Sequence, residues 1–290
     1  MKPAAFELVR ASSVAEAIRC LSASEGMARV MAGGQSLMPM LNLRLAAAAQ
    51  IIDLSKIEEL NTVEVDGELA TYGARITHAQ FEDGDVLDVT RGLMRKVASG
   101  IAYRAVRNRG TLAGSIALCD PSADWVSTML ALDAQVEIVN SERTRVESVR
   151  DFVLGAYTTT LEDDELIRSV KVPVLPSDAC WGFFKSSRKL GEFAQSLAVA
   201  VAIPSKNYQR VVVGATDGAP VLLDGVATLL QGAVQAAGKE SSRATVYELA
   251  RQELKDAGLE DDFLIDLHAA SVVTAFTEAA KNESNNKPDA

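Results

Sequence analysis

The sequence predicts an α+β protein, and three patterns carry that prediction. The N-terminal segment alternates short apolar runs with a capped helical stretch in β-α-β order, which suits a small mixed sheet. Residues Leu60 to Gly73 and Gln135 to Val149 alternate around polar turns, the mark of antiparallel hairpins. After Pro173-Val174-Leu175-Pro176-Ser177-Asp178, the best linker in the chain, strand candidates are followed by helical segments.

The elements follow in order. Phe6 to Val9 reads as a short strand. Ser13-Val14-Ala15-Glu16 is a capping-box pattern, so a helix runs from Val14 to Leu21 and stops at Glu25-Gly26. Ala28 to Met31 and Gln50 to Leu54 are apolar strand runs. Asp66-Gly67 turns a hairpin whose arms are Val63-Val65 and Leu69-Tyr72. Thr77 caps a short helix that begins with His78. A longer helix is expected from Val86 to Ile101, ending near Gly100, and another from Asp124 to Leu132. Gln135 to Val139, Arg143 to Val149 and Leu166 to Val172 read as strands, with a loop starting at Asp151-Phe152. Beyond the linker, Trp181 to Lys185, Ala194 to Ile203 and Arg210 to Thr216 are strands. Val226 to Ala236, Ala244 to Ala257 and Phe263 to Lys281 are helices, with Asp224 placed to cap the first. The polar tail 282–290 is expected to be disordered.

Two glycine-rich stretches stand out. Ala32-Gly33-Gly34-Gln35-Ser36-Leu37 follows a strand run and precedes Pro39. Adjacent glycines turn sharply and leave main-chain N–H groups uncovered, and successive uncovered N–H groups form an anion-binding concavity. A lone Gly-Gly is also a plain tight turn. The second stretch, Arg107-Asn108-Arg109-Gly110-Thr111-Leu112-Ala113-Gly114-Ser115, has the same character, and two such loops suit a diphosphate better than one. Asp124, at the start of a helix, either caps N–H groups or binds a ribose hydroxyl. His78, on a helix, reads most simply as a packing or hydrogen-bonding residue.

Composition excludes several classes. The chain has 290 residues, a net charge of −10 and 48% hydrophobic residues. That hydrophobic share supports real cores. The acidic balance argues against nucleic-acid binding. No apolar run in the sequence is read as a membrane span, and Glu7 and Arg10 interrupt any signal-peptide core, so a cytoplasmic location is expected. The three cysteines, Cys20, Cys119 and Cys180, lie far apart. They are too few for a four-cysteine iron–sulfur framework, and the two histidines make no ligand spacing with them. No metal ligands are assigned.

Taken together, the two glycine stretches resemble the paired flavin-binding motifs of the FAD-binding (medium) subunit of the molybdenum hydroxylases. That family includes the carbon monoxide dehydrogenase and xanthine dehydrogenase types. Its pattern runs A-G-G-x-S-L-x-P, then R-N-x-G-T-x-G-G-S/N, then D-P-x-x-D. This chain reads Ala32 to Pro39, Arg107 to Ser115 and Asp120-Pro121-Ser122-Ala123-Asp124, in the same order and at matching separation. The likeness continues through most of the chain. It departs at Tyr103, where relatives often have histidine, and at Glu192, where R-x-x-G-D-F-A has aspartate.

The resemblance implies a two-subdomain FAD-binding fold (PCMH/VAO-like). Residues 1–54 would form the first subdomain and 55–176 the second, followed at 177–281 by a C-terminal domain of a three-stranded antiparallel sheet plus helices. It implies non-covalent FAD, since neither motif holds a histidine or cysteine where the family attaches it. Ala32, Gly33, Gly34, Gln35, Ser36 and Leu37 would cradle the diphosphate with Thr111, Gly114 and Ser115. Asp124 would touch the sugar or polyol part, and Ile101 and Ile167 would lie near the ring. Lys185 would reach the flavin from the third domain; otherwise it is a solvated strand lysine. Phe193 either covers the ring or is a core phenylalanine.

The function implied is an oxidoreductase role: an electron-transfer subunit that takes electrons from iron–sulfur clusters and passes them to an external acceptor. The molybdenum cofactor and [2Fe-2S] clusters would then belong to a large and a small partner subunit, in a dimer of heterotrimers. Two other readings stand beside it. One is a self-contained FAD-dependent oxidoreductase of the wider superfamily, and the other is a binding module that has lost FAD.

Overall fold

The computed structural model describes residues 2–235 and 242–281. The first sheet is parallel throughout. It is built from β1 (Glu7–Arg10), α1 (Val14–Ala23), β2 (Ala28–Met31), α2 (Leu37–Leu43) and β3 (Gln50–Asp53), in strand order β1-β3-β2. Ser13 caps α1 by accepting from the Glu16 N–H. The reciprocal half of the expected capping box goes elsewhere: the Glu16 carboxylate accepts from the N–H and hydroxyl of Ser12, both at 2.7 Å. Val14, Ala17, Ile18 and Leu21 recur on one face of α1 and are buried.

The second sheet is antiparallel. Its strands are β4 (Val63–Asp66), β5 (Leu69–Gly73), β6 (Gln135–Val139), β7 (Thr144–Ser148) and β10 (Leu166–Pro173). They lie in the order β4-β5-β10-β6-β7. Between β5 and β6 run α3 (His78–Asp83), α4 (Leu93–Ser99), α5 (Arg104–Arg107), α6 (Leu112–Leu118) and α7 (Asp124–Ala131). After β7, the single turn α8 (Val149–Phe152) replaces the loop expected at Asp151-Phe152, and the small hairpin β8 (Val153–Gly155) and β9 (Thr158–Thr159) follows.

The helix expected from Val86 to Ile101 is shorter than its sequence pattern. Arg91 and Gly92 take φ of +56° and +91°, which no right-handed helix accommodates. Asp88 turns the preceding chain by accepting from the N–H groups of Thr90 and Arg95, and the Thr90 hydroxyl accepts from the Met94 N–H. The helix therefore begins only at Leu93.

The third sheet holds β11 (Cys180–Ser186), β12 (Ser196–Ile203) and β13 (Tyr208–Gly214), with the two-residue β14 (Val221–Leu222) added at its edge. The expected three-stranded sheet is thus extended by one short strand. Helices α9 (Asp224–Gln235), α10 (Arg243–Asp256) and α11 (Asp262–Lys281) cover one face. The free N–H groups of Gly225 and Val226 are met by the Glu253 carboxylate of α10, at 2.7 and 3.0 Å. The expectation for the tail 282–290 lies outside the described residues.

By length and composition alone α11 is long and apolar enough to cross a membrane, a test that the core helix of a folded domain also passes. It lies instead on the third sheet, with Ile265, Ala269, Val272, Ala275, Phe276 and Ala279 buried. Gly182 makes that approach possible, because a Cβ there would stand 1.9 Å from the Ala275 carbonyl oxygen. On the other face of the sheet sits α7. All eight of its residues are buried, between the third sheet and the helices that follow β5. One continuous apolar core therefore joins the first two sheets to the inner face of the third.

Gly182→Val should force α11 off β11 and cost about 1–3 kcal/mol or more, as overpacking does. Urea unfolding of the variant would show this as a lowered midpoint. An unchanged midpoint would contradict the close packing.

Candidate functional site

The first glycine loop begins where β2 ends at Met31, and the chain turns at once. Gly34 takes φ of +72°, with Met31 Sδ close to where a Cβ would stand. Gly33 meets a stricter limit: a Cβ there would lie 2.1 Å from the Arg109 carbonyl oxygen and 2.7 Å from the Gly110 Cα. The two glycine loops therefore touch backbone to backbone. Arg109 Nε and Gln35 Nε2 both donate to the Gly33 carbonyl, at 3.3 and 3.4 Å, and so hold that peptide plane. Among the described residues, the N–H groups of Gly33, Gly34, Gln35 and Ser36 and the Ser36 hydroxyl have no partner.

The second loop is held from below. Thr77 bridges Thr111, and the His78 N–H donates to the Gly110 carbonyl at 2.9 Å. Thr111 caps α6 by accepting from the Gly114 N–H at 3.0 Å. Arg107 pairs bidentately with Glu82 at 2.7 and 2.8 Å and donates to the carbonyls of Ile101 and Ala102, each at 3.0 Å. It thereby fixes a turn in which Ala102 takes φ of +44°.

Between the loops lies a cleft of about 520 Å³. All fourteen residues singled out in the sequence line it: Ala32, Gly33, Gly34, Gln35, Ser36, Leu37, Ile101, Thr111, Gly114, Ser115, Asp124, Ile167, Lys185 and Phe193. Phe193 is 63% exposed at the rim, so it is not a core phenylalanine. His78 and Gly110 also line the cleft, as do Arg29 and Asp163. Of these, the sequence drew attention to Gly110, inside the second motif, and to His78 as a packing or hydrogen-bonding residue, but carried no signal for Arg29 or Asp163.

Asp124 is not an N-cap, since that position belongs to Ala123. It is the first residue of α7, 4% exposed, and its Oδ2 accepts from Lys185 Nζ at 3.0 Å. The ammonium also donates to the Gly100 carbonyl at 3.3 Å. Lys185 is therefore a partly buried, paired lysine rather than a solvated one. Burial pushes the Asp124 carboxyl up, and the adjacent Lys185 charge opposes that rise. Asp124 Oδ1 is buried without a hydrogen-bond partner among the described residues.

These features fit an FAD-sized polar ligand. Uncovered amides are free to receive an anion, an orphaned carboxylate oxygen is free to accept from a hydroxyl, and glycines stand where any Cβ would collide. Residues 4–175 match the family model described as the FAD binding domain in molybdopterin dehydrogenase.

The chain belongs to that family.

As an FAD-binding subunit of a molybdopterin dehydrogenase it is an oxidoreductase component. It is 30% identical over 225 residues to the caffeine dehydrogenase subunit beta of Pseudomonas sp. (strain CBB1), covering 76% of each chain. It is 32% identical over 201 residues to the carbon monoxide dehydrogenase medium chain of Afipia carboxidovorans, covering 69% of this chain and 70% of that one. Among solved structures, one chain of quinoline 2-oxidoreductase from Pseudomonas putida 86 superposes with a TM-score of 0.87 at 28% identity. That match covers 98% of this chain and all of the other.

Two outcomes test the site's electrostatics. Lys185→Met leaves the Asp124 charge buried alone and should destabilise by roughly 3–5 kcal/mol, whereas Lys185→Met with Asp124→Asn should cost less. Equal losses in both variants, read by urea unfolding, would show that the pair is not coupled.

The second concerns pH. Burial lowers His78 to about 3 and His268 to about 4, from 6.5. The unfolded chain then binds more protons than the folded one in that interval. The stability contributed by the two neutral rings is complete above 6.5 and is lost as pH falls toward the folded values. The loss is up to about 1.4 kcal/mol per pH unit for each histidine. Unfolding free energies at about pH 7.5 and about pH 5 should differ accordingly, and less so in His268→Asn. A flat profile would rule out neutral burial of both rings.

Proposed function

We propose that this chain is the FAD-binding electron-transfer subunit of a heterotrimeric molybdenum hydroxylase. When bound, FAD supplies two-electron redox chemistry and hands electrons to an external acceptor. The chain's own residues bind and orient it. Gly33, Gly34, Gln35 and Ser36 offer main-chain N–H groups to the diphosphate, with Ala32 and Leu37 bordering them. Ser115 and the Thr111–Gly114 turn face them from the other loop. The free Asp124 oxygen accepts from a sugar or polyol hydroxyl. Ile101 and Ile167 form apolar walls near the ring, and Phe193 stands at the rim where it can cover one ring face. Because Lys185 is paired with Asp124, its field on the flavin is that of a dipole and weaker than a lone ammonium's.

The observation that carries this reading is the contact between the two glycine loops, beside which the four consecutive amides of Gly33 to Ser36 have no partner among the described residues. Three cysteines cannot build one four-cysteine cluster. The molybdenum cofactor and [2Fe-2S] clusters therefore belong to a large and a small partner subunit, and we propose a cytoplasmic dimer of heterotrimers. In this assembly 1–54 and 55–176 act as the two FAD subdomains and 177–281 as the C-terminal domain that delivers Lys185.

FAD, but not NAD, should raise the thermal melting point of the full chain, since a ligand that binds only the native state stabilises it. Ser36→Ala should weaken FAD binding by roughly tenfold at most, about the worth of one hydrogen bond. Gly33→Ala should abolish it, because its Cβ would strike the Arg109 carbonyl. A complex purified from its native source without flavin would overturn the proposal.

A further inference from the structure

His78 is a titratable group in the cleft that the proposed function leaves unused. It opens α3, where Thr77 and Gln80 form a reciprocal capping box, so its backbone position is fixed. The ring is 5% exposed. Its Nδ1 accepts from Trp125 Nε1–H at 3.0 Å. An indole nitrogen only donates, so Nδ1 carries no proton and the neutral ring must be protonated at Nε2. Phe81 packs on Trp125 with ring centroids 5.5 Å apart. Burial and the nearby Arg107 charge keep the imidazole neutral.

The Nε2 edge passes over Gly110, where a Cβ would lie only 2.7 Å from it. Both residues line the cleft. Among the described residues Nε2–H has no acceptor. Trp125 is fully buried and does not line the cleft, and it is the neighbour of Asp124 on α7. One helix thus presents an acceptor to the cleft directly and sets a donor through His78.

We propose that His78 is a further cofactor-binding residue, whose Nε2–H donates to an acceptor atom of bound FAD, and that Trp125 is the positioning residue that holds the required tautomer. This rests on the FAD-subunit reading. The indole contributes by removing the alternative: without its N–H, the ring would share its proton between both nitrogens and lose part of the donor population. The imidazole, being neutral, adds a directed hydrogen bond without adding charge beside the Lys185–Asp124 pair.

The test is nitrogen-15 NMR of the histidine side chains in the full chain, with and without FAD, together with FAD titration of variants. In the free wild-type chain His78 should show the Nε2–H tautomer. Saturation with FAD should move that proton's resonance and slow its exchange with water. His78→Leu should weaken FAD binding roughly tenfold, and His78→Gln, which keeps an amide donor near the same place, should recover part of it. Trp125→Phe should mix the tautomers and weaken binding in proportion.

If the wild type binds FAD but the Nε2–H signal does not respond, the inference is wrong and the FAD reading stands. It is equally wrong if folded His78→Leu binds FAD as the wild type does. If the wild-type chain binds no FAD, alone or in its native complex, the FAD reading fails and takes this inference with it.

Discussion

Gly33 and the Arg109–Gly110 peptide occupy space that no side chain could share. A Cβ on Gly33 would fall 2.1 Å from a carbonyl oxygen. Because of that contact, a loop from the parallel sheet and a loop from the helical insertion of the antiparallel sheet become two walls of one cleft. Much of the surrounding structure serves to hold the walls in place. Arg107 ties Glu82 to the Ile101–Ala102 turn, and the Thr77–Thr111 bridge joins α3 to the second loop. The Arg109 side chain reaches back to the Gly33 carbonyl. Most of these contacts engage backbone groups of the two loops and the turn beside them.

The third sheet completes the arrangement through α7. That helix is buried along its length, as expected for an element with packed layers on both faces. Tyr208 and Arg210 of β13 donate to the carbonyls of Ala131 and Leu130 at its C-terminal end, at 2.6 and 2.7 Å. Gly214 makes room for Ser127, whose Oγ would be 2.1 Å from a Cβ there. At the N-terminal end of the same helix, Asp124 meets Lys185 from β11. The pair joins the third sheet to the cleft at a point where both charges are largely shielded from water. Its net field is small, and its geometry is sharply set by the packing of α7.

Some parts of this molecule were legible in the residues because the physics is local. The strands before and after the first glycine loop, the Asp66-Gly67 hairpin and the three C-terminal helices follow from apolar period and turn chemistry within a few positions. The Val86–Ile101 helix failed for an equally local reason that the apolar period conceals. Arg91 and Gly92 leave the helical region, and Asp88 and Thr90 offer capping oxygens that compete with helix continuation.

The sequence by itself determined most of the strands, the C-terminal helices, the two glycine loops, the family to which they belong and fourteen of the residues that line the cleft. Those depend on residue type and order along the chain. Tertiary structure alone decided that Asp124 pairs with Lys185 instead of capping its helix, that Phe193 stands at the rim, and that α11 lies on a sheet. It also decided which nitrogen of His78 carries the proton. Each of these is a contact between positions tens of residues apart, and its energy depends on distance, burial and the absence of water, none of which is written in local spacing.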